Sequence, residues 1–302
     1  MKECRGERAS NELVKLVRAT AVVLACGALM VAAPPALGAK AKSVSAGGAH
    51  TCALKANDKL RCWGYDFYGQ ASPPSARFRS VSAGGNHTCG VRLSGKLHCW
   101  GFDGAGQASP PQGPRFKSAS SGLDHTCGVR LNRKAGCWGL DFFGQASPPG
   151  ASFSSVSVGS AHSCGVRRNR RARCWGLDSD GQASPPGARF RSVSAGSYHT
   201  CGVRSNRKAR CWGLDNVDQA SAPSGPNFRS VSAGGSHTCG VRSNRKARCW
   251  GLDIFDQASA PSGPNFRSVS AGGLHTCGVR STGKVRCWGA NGNSQTDVPP
   301  GL

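Results

Sequence analysis

The sequence predicts an all-β fold, a seven-bladed β-propeller of 37–38-residue repeats preceded by an N-terminal signal segment, and three observations predict it. The triplet Cys-Trp-Gly stands at 62–64, 99–101, 137–139, 174–176, 211–213, 249–251 and 287–289, and it takes up all seven tryptophans. Within each repeat, short apolar/polar alternations are separated by Gly, Ser and Pro, the pattern of strands and turns. Glycine numbers 42 of 302 residues, and leucine-rich helical runs are missing after about residue 40. A unit this short cannot bury a core alone, so the units must pack on one another. Sheets set radially about an axis achieve this while protecting most strand edges. A linear β-solenoid is the competing arrangement, but its rungs are shorter and its end caps are missing here.

Ahead of the repeats, Lys2, Arg5, Arg8, Lys15 and Arg18 precede an apolar run at 19–33, then Pro34-Pro35 and Ala36-Leu37-Gly38. This is the layout of a cleaved secretory signal over residues 1–38. The run of 15 residues falls short of the about 20 that span a bilayer. Val23-Leu24-Ala25-Cys26 offers a lipoprotein-type start as the alternative. Residues 39–42 read as a short linker and 43–302 as the propeller. The expectation is a secreted, periplasmic or cell-surface monomer with no integral membrane span in the mature chain.

Each repeat runs in one order: an alternation such as FRSVSAGG (228–235), then HTCGVR (237–242), a turn, KARCWG (246–251), and a loop of the form LDxxxQASxP. Fourteen of the sixteen cysteines form seven C-x9-C pairs. An even set in an exported chain argues for disulfides. A three-residue hairpin loop at Ser243, Asn244 and Arg245 sets Cys239 opposite Cys249 in a non-hydrogen-bonded pair. Such pairs hold their Cα atoms at ~4.5 Å, within reach of a disulfide. The expected bridges are Cys52-Cys62, Cys89-Cys99, Cys127-Cys137, Cys164-Cys174, Cys201-Cys211, Cys239-Cys249 and Cys277-Cys287. Reduced, buried thiols in a cytosolic protein are one competing reading. Zinc held by His-x-Cys…Cys is another, without the close cysteine spacing usual in structural sites.

Charge is the second repeated feature. Lys+Arg number 39 against 15 Asp+Glu; residues 39–302 keep 34 of the bases and 12 acids, all Asp. Of those bases, 24 lie between paired cysteines, with Asp58 the only acid there. In the register above, Arg242 faces Lys246 and shares a hairpin face with Arg248, while Cys239, Val241, Ala247 and Cys249 take the other. One face is expected to be apolar and bonded, the other cationic. Like charges placed opposite one another weaken a sheet. All seven tips should turn at the same side of the wheel and form a cationic ring. The candidate anion-binding residues are Arg130, Arg133, Lys134, Arg167, Arg170, Arg171, Arg173, Arg204, Arg207, Lys208, Arg210, Arg242, Arg245, Lys246 and Arg248. Such a field attracts anions and weakens with salt. The implied partner is an unknown protein or an anionic polymer: a glycan, teichoic acid, lipopolysaccharide or nucleic acid. A merely solvated basic surface is the bland alternative.

Histidines 50, 87, 125, 162, 199, 237 and 275 each precede a cysteine by two positions. Spread around an axis they cannot share a metal, so they read as bonds to the preceding turn. The tryptophans read as wedges between blades. The repeated Asp (66, 103, 141, 178, 215, 253) and Gln (70, 107, 145, 182, 219, 257, 295) read as loop architecture. Individuality lies between them: Tyr65, Phe67, Tyr68, Phe102, Phe142, Phe143 and Phe255 are candidate partner-binding residues, or else Phe67, Phe143 and Phe255 pack beneath their loops. No nucleophile–base pair, phosphate loop or metal motif is present, so no catalytic activity, cofactor or metal is expected.

The repeated string AGGxHTC…CWGxDxxGQ resembles the repeat of the regulator-of-chromosome-condensation family over about residues 43–302. The resemblance implies a seven-bladed propeller. The short period and Pro-Pro linker are similar to secreted bacterial members, among them a propeller that inhibits β-lactamases; the paired cysteines resemble extracellular repeats of plant receptor kinases. The nuclear founder has longer repeats and an inserted wedge acting on a small GTPase, and no insertion here is long enough to serve as one. The expected function is therefore an exported, non-enzymatic binding propeller. The alternatives are a proteinaceous enzyme inhibitor and an intracellular chromatin- or GTPase-associated factor.

Overall fold

The structure, a computed structural model, describes residues 40–302; the signal segment expected at 1–38 lies outside the described residues. Seven three-stranded antiparallel sheets follow one another, each made of consecutive strands. The first is β1 (Ala41–Ala46), β2 (His50–Lys55) and β3 (Leu60–Gly64), and the seventh is β19 (Phe266–Ala271), β20 (His275–Arg280) and β21 (Val285–Gly289). β1 starts inside the stretch expected as a linker at 39–42, with Ala41 paired to Lys55.

The hairpins have the register that their cysteines require. In the sixth sheet, β16 (Phe228–Ala233), β17 (His237–Arg242) and β18 (Ala247–Gly251), Cys239 faces Cys249 and Val241 faces Ala247. The turn closes with Arg242 N donating to Lys246 O and Arg245 N to Arg242 O, both at 2.9 Å. All seven pairs are bridged within their own sheets, with Cα atoms 4.0 Å apart. Seven disulfides suit an oxidising environment.

Adjacent sheets interlock through backbone as well as side chains. The carbonyl of each left-handed tip residue accepts a bond from the first strand of the next sheet, as in Phe228 N to Arg207 O at 2.8 Å. The wheel closes on the same bond, Ala41 N to Gly283 O at 2.9 Å. Around the axis the Ala-Gly-Gly turns form a collar, with Gly48 N donating to Gly84 O at 2.9 Å and Gly273 N to Gly47 O at 3.0 Å.

The core lies between sheets. Phe228 is fully buried, packs on Cys201 and Val203 of the preceding sheet, and meets Trp250 at 5.7 Å between ring centroids. Its ring fills the space where Gly240 lacks a side chain; a Cβ there would sit 2.6 Å from it. The first sheet has no such phenylalanine: Ala41 stands in its place, and Ala53 replaces the glycine. This packing corrects the expectation of a hairpin face that is cationic throughout. Thr238, Gly240 and Trp250 share that face with Arg242 and Arg248 and turn toward the neighbouring sheet, so only its tip end is cationic.

Candidate functional site

Each second strand runs from the axial collar to a hairpin tip, and each third strand returns to the collar side, where its loop begins. The wheel therefore has a tip face and a loop face. The sequence-predicted cations are on the first. Arg133, Lys134, Arg170, Arg171, Arg173, Arg204, Arg207, Arg210, Arg245 and Arg248 are exposed, and Arg130, Arg167, Lys208, Arg242 and Lys246 are half-buried. The half-burial has visible causes. Lys208 and Lys246 donate to the carbonyls of Gly225 and Gly263, both at 2.8 Å, while Arg130 folds against Gly136.

At the tips, Arg133, Arg170, Arg207 and Arg245 hold φ of 68°, 64°, 67° and 66°, the left-handed region that Gly95 and Gly283 occupy in two other sheets. A non-glycine residue there costs about 1–2 kcal/mol. Strain of this kind collects where function maintains it. Among the described residues the one salt bridge is Lys42–Asp58, so the remaining cations are unpaired by carboxylates.

Sequence reasoning missed the cations of the first strands. Arg191 and Arg267 each donate twice to a tip carbonyl of their own hairpin, Ser205 and Ser281, and Arg229 donates once to Ser243. They brace the tip and add to its charge. The signal was present in the recurrent FRS, but only the topology shows that its start abuts the tips. With them, all 34 Lys and Arg of residues 40–302 lie at the tip face or in the tip half of a strand.

The loop face is the converse. Eleven of the twelve Asp lie there, together with ten of the twelve exposed large hydrophobics. Phe67 and Phe142 are 77% and 82% exposed, and Tyr68, Phe143 and Phe255 are exposed too, whereas Tyr65 and Phe102 are half-buried. The alternative that Phe67, Phe143 and Phe255 pack beneath their loops is thus set aside. The turns are closed by their aspartates: Asp66 accepts from Ala71 N and Ser72 Oγ, both at 2.6 Å. Gln70 bonds its own loop through its side chain, its Oε1 accepting from Tyr68 N at 2.9 Å. Its backbone carbonyl, not its side chain, reaches the next sheet, accepting from Thr88 Oγ1 at 2.9 Å and Trp100 Nε1 at 3.0 Å.

The histidines bond forward as well as back. His50 O accepts from Gly47 N at 2.8 Å, and its Nε2 lies 2.7 Å from Thr88 Oγ1 of the next sheet. Because the Thr88 proton goes to Gln70 O, the hydroxyl must accept from Nε2–H, which selects the Nε2–H tautomer of the neutral ring. Burial pushes these imidazoles down, to about 3 at His50 and about 4 at His87; charged neighbouring imidazoles lower His50 further, while Asp103 raises His87. Among the described residues no group of three or more His, Cys, Asp or Glu is placed to hold a metal ion. No helix among them is long and apolar enough to cross a membrane.

The repeat itself decides the family. The profile of the regulator of chromosome condensation (RCC1) repeat matches residues 41–70, 78–107, 153–182, 190–219, 228–257 and 266–295, more than half of the chain. The chain belongs to this repeat family. Comparison with curated proteins yields no match. Among solved structures it is similar to the ectodomain of the Physcomitrella patens receptor kinase CR4, with TM-score 0.73 and 28% identity over 83% of this chain and 74% of that one. It is also similar to the CRINKLY WD40 ectodomain of the Arabidopsis thaliana receptor kinase ACR4, with TM-score 0.72 and 25% identity over 85% and 98%. Prp20p of Saccharomyces cerevisiae, whose structure is reported with its binding properties to Gsp1p and histones, shares the fold at TM-score 0.67 and 16% identity over 76% and 80%.

Proposed function

We propose that this chain is an exported, non-enzymatic binding propeller whose tip face engages an extended anionic polymer bearing phosphate, sulfate or carboxylate groups. The observation that carries this reading is the gathering of all 34 Lys and Arg of residues 40–302 toward one side, with a single carboxylate pairing among the described residues. A ring of cations braced by backbone carbonyls presents many weak contacts, which suits a flexible polymer better than a small ligand. Four arginines held in left-handed turns support it further, since glycine would serve the turn alone. Export is supported by the leader-like residues 1–38 and the seven disulfides.

The test is elution of the full chain from immobilised heparin, a sulfated polyanion, in rising salt. The variant R133G/R170G/R207G/R245G should elute at clearly lower salt while melting no earlier than the parent. Equal elution of the two proteins would count against the reading.

A further inference from the structure

The loop face carries a feature that charge on the tips does not explain. Tyr65 and Phe67 stack with ring centroids 6.4 Å apart, Phe67 meets Tyr68 edge-on at 5.0 Å, and Tyr68 reaches Phe102 of the next loop at 4.8 Å. These rings make a continuous shelf across the first two sheets. Beside it, Gly48, Ala49, Gly85, Asn86 and Leu123 line a hollow of about 280 Å³ with Tyr65 as one wall. Contiguous apolar surface of this sort on a soluble protein marks a contact site.

We propose that this shelf docks a basic segment of a partner protein, an apolar side chain flanked by Lys or Arg. The sign comes from the surroundings. Asp66 and Asp103 belong to the same two loops, eleven aspartates share the face, and none of the 34 Lys and Arg does. A six-residue strand is about 20 Å long, more than two Debye lengths at physiological salt, which is about 8 Å. The cations of the tip face are therefore screened here, and the local field is that of the carboxylates. Aromatic faces attract guanidinium and ammonium groups in the same sense. The tip face of a second copy is also basic, but Leu93 and Leu131 are its only exposed large hydrophobics among the described residues, so it lacks the anchor that the hollow accepts.

The test is fluorescence anisotropy of the full chain with a rhodamine-labelled dodecapeptide carrying a central Leu-Leu flanked by Lys and Arg, at about 0.15 M salt. The expected result is saturable binding that F67S/Y68S weakens at least tenfold and F142S, on the third sheet, leaves nearly unchanged. Both residues of the double variant are exposed, and an unshifted melting curve verifies its fold. Binding equal in parent and F67S/Y68S, or none in either, overturns the proposal. So does sedimentation showing self-association that F67S/Y68S abolishes while the peptide stays unbound. The polyanion reading stands or falls separately, because F67S/Y68S should keep its heparin elution.

Discussion

At the scale of the residue, the fit between sheets depends on pairs of complementary size. Gly202 lies under Phe190, and a Cβ there would come within 2.5 Å of the ring. The first sheet solves the same space with Ala41 and Ala53, both buried. Gly202→Ala should therefore destabilise the chain by about 1–3 kcal/mol through overpacking, and Phe190→Ala by about 3–5 kcal/mol through a cavity. The double variant should lose measurably less than the sum, because the new methyl group enters the space the ring leaves. Urea melts of the three variants check this; strict additivity would contradict the packing account. Gly and Phe recur in phase in the sequence, yet their contact is not legible there, because it depends on a bulge that brings Phe190 level with Arg204, on the face of Gly202, rather than with Ser205.

At the scale of the element, neighbouring sheets are joined by histidine–hydroxyl bonds, six to threonine and His125 to Ser163, and these set a pH limit. Burial holds the imidazoles neutral in the wheel, at about 3 for His50 and His125 and about 4 for His87, His162, His199, His237 and His275. The same groups in an unfolded chain titrate near 6.5. Between those values the unfolded chain binds more protons, so stability is full above about pH 6.5 and falls as pH drops toward 4. Seven such groups lower it by up to roughly 10 kcal/mol per pH unit, enough to exceed a typical domain's whole stability within one or two units. Tryptophan fluorescence followed from pH 7 to 4 should show one cooperative transition below about pH 6. A flat signal down to pH 4 would contradict the buried ring. The strands, the hairpin register and the cysteine pairing were all legible in the sequence, since each is local and recurs at fixed spacing. The forward bond from histidine to the next sheet was not, because Thr88 belongs to another repeat and only closure brings it to His50.

At the scale of the whole molecule, a single topological rule sorts the charge. Strand starts and hairpin tips meet at one face, collar turns and loops at the other, so residues spaced along each repeat become segregated in space. The excess of base was plain from composition. The separation of the acidic, aromatic loops from the basic tips onto opposite sides was not, because Asp66 and Arg61 stand five residues apart in sequence yet belong to opposite ends of a strand.

The measurement that tests this segregation most directly is the affinity of the full chain for single-stranded DNA, a phosphate polymer, as salt is varied. Contacts from four or more tips predict a log–log slope of about −3 or steeper, since each neutralised phosphate contributes about −0.7, and a shallower slope for R133G/R170G/R207G/R245G. A slope near zero, or one that the four substitutions leave unchanged, would contradict a tip face that works by its charge.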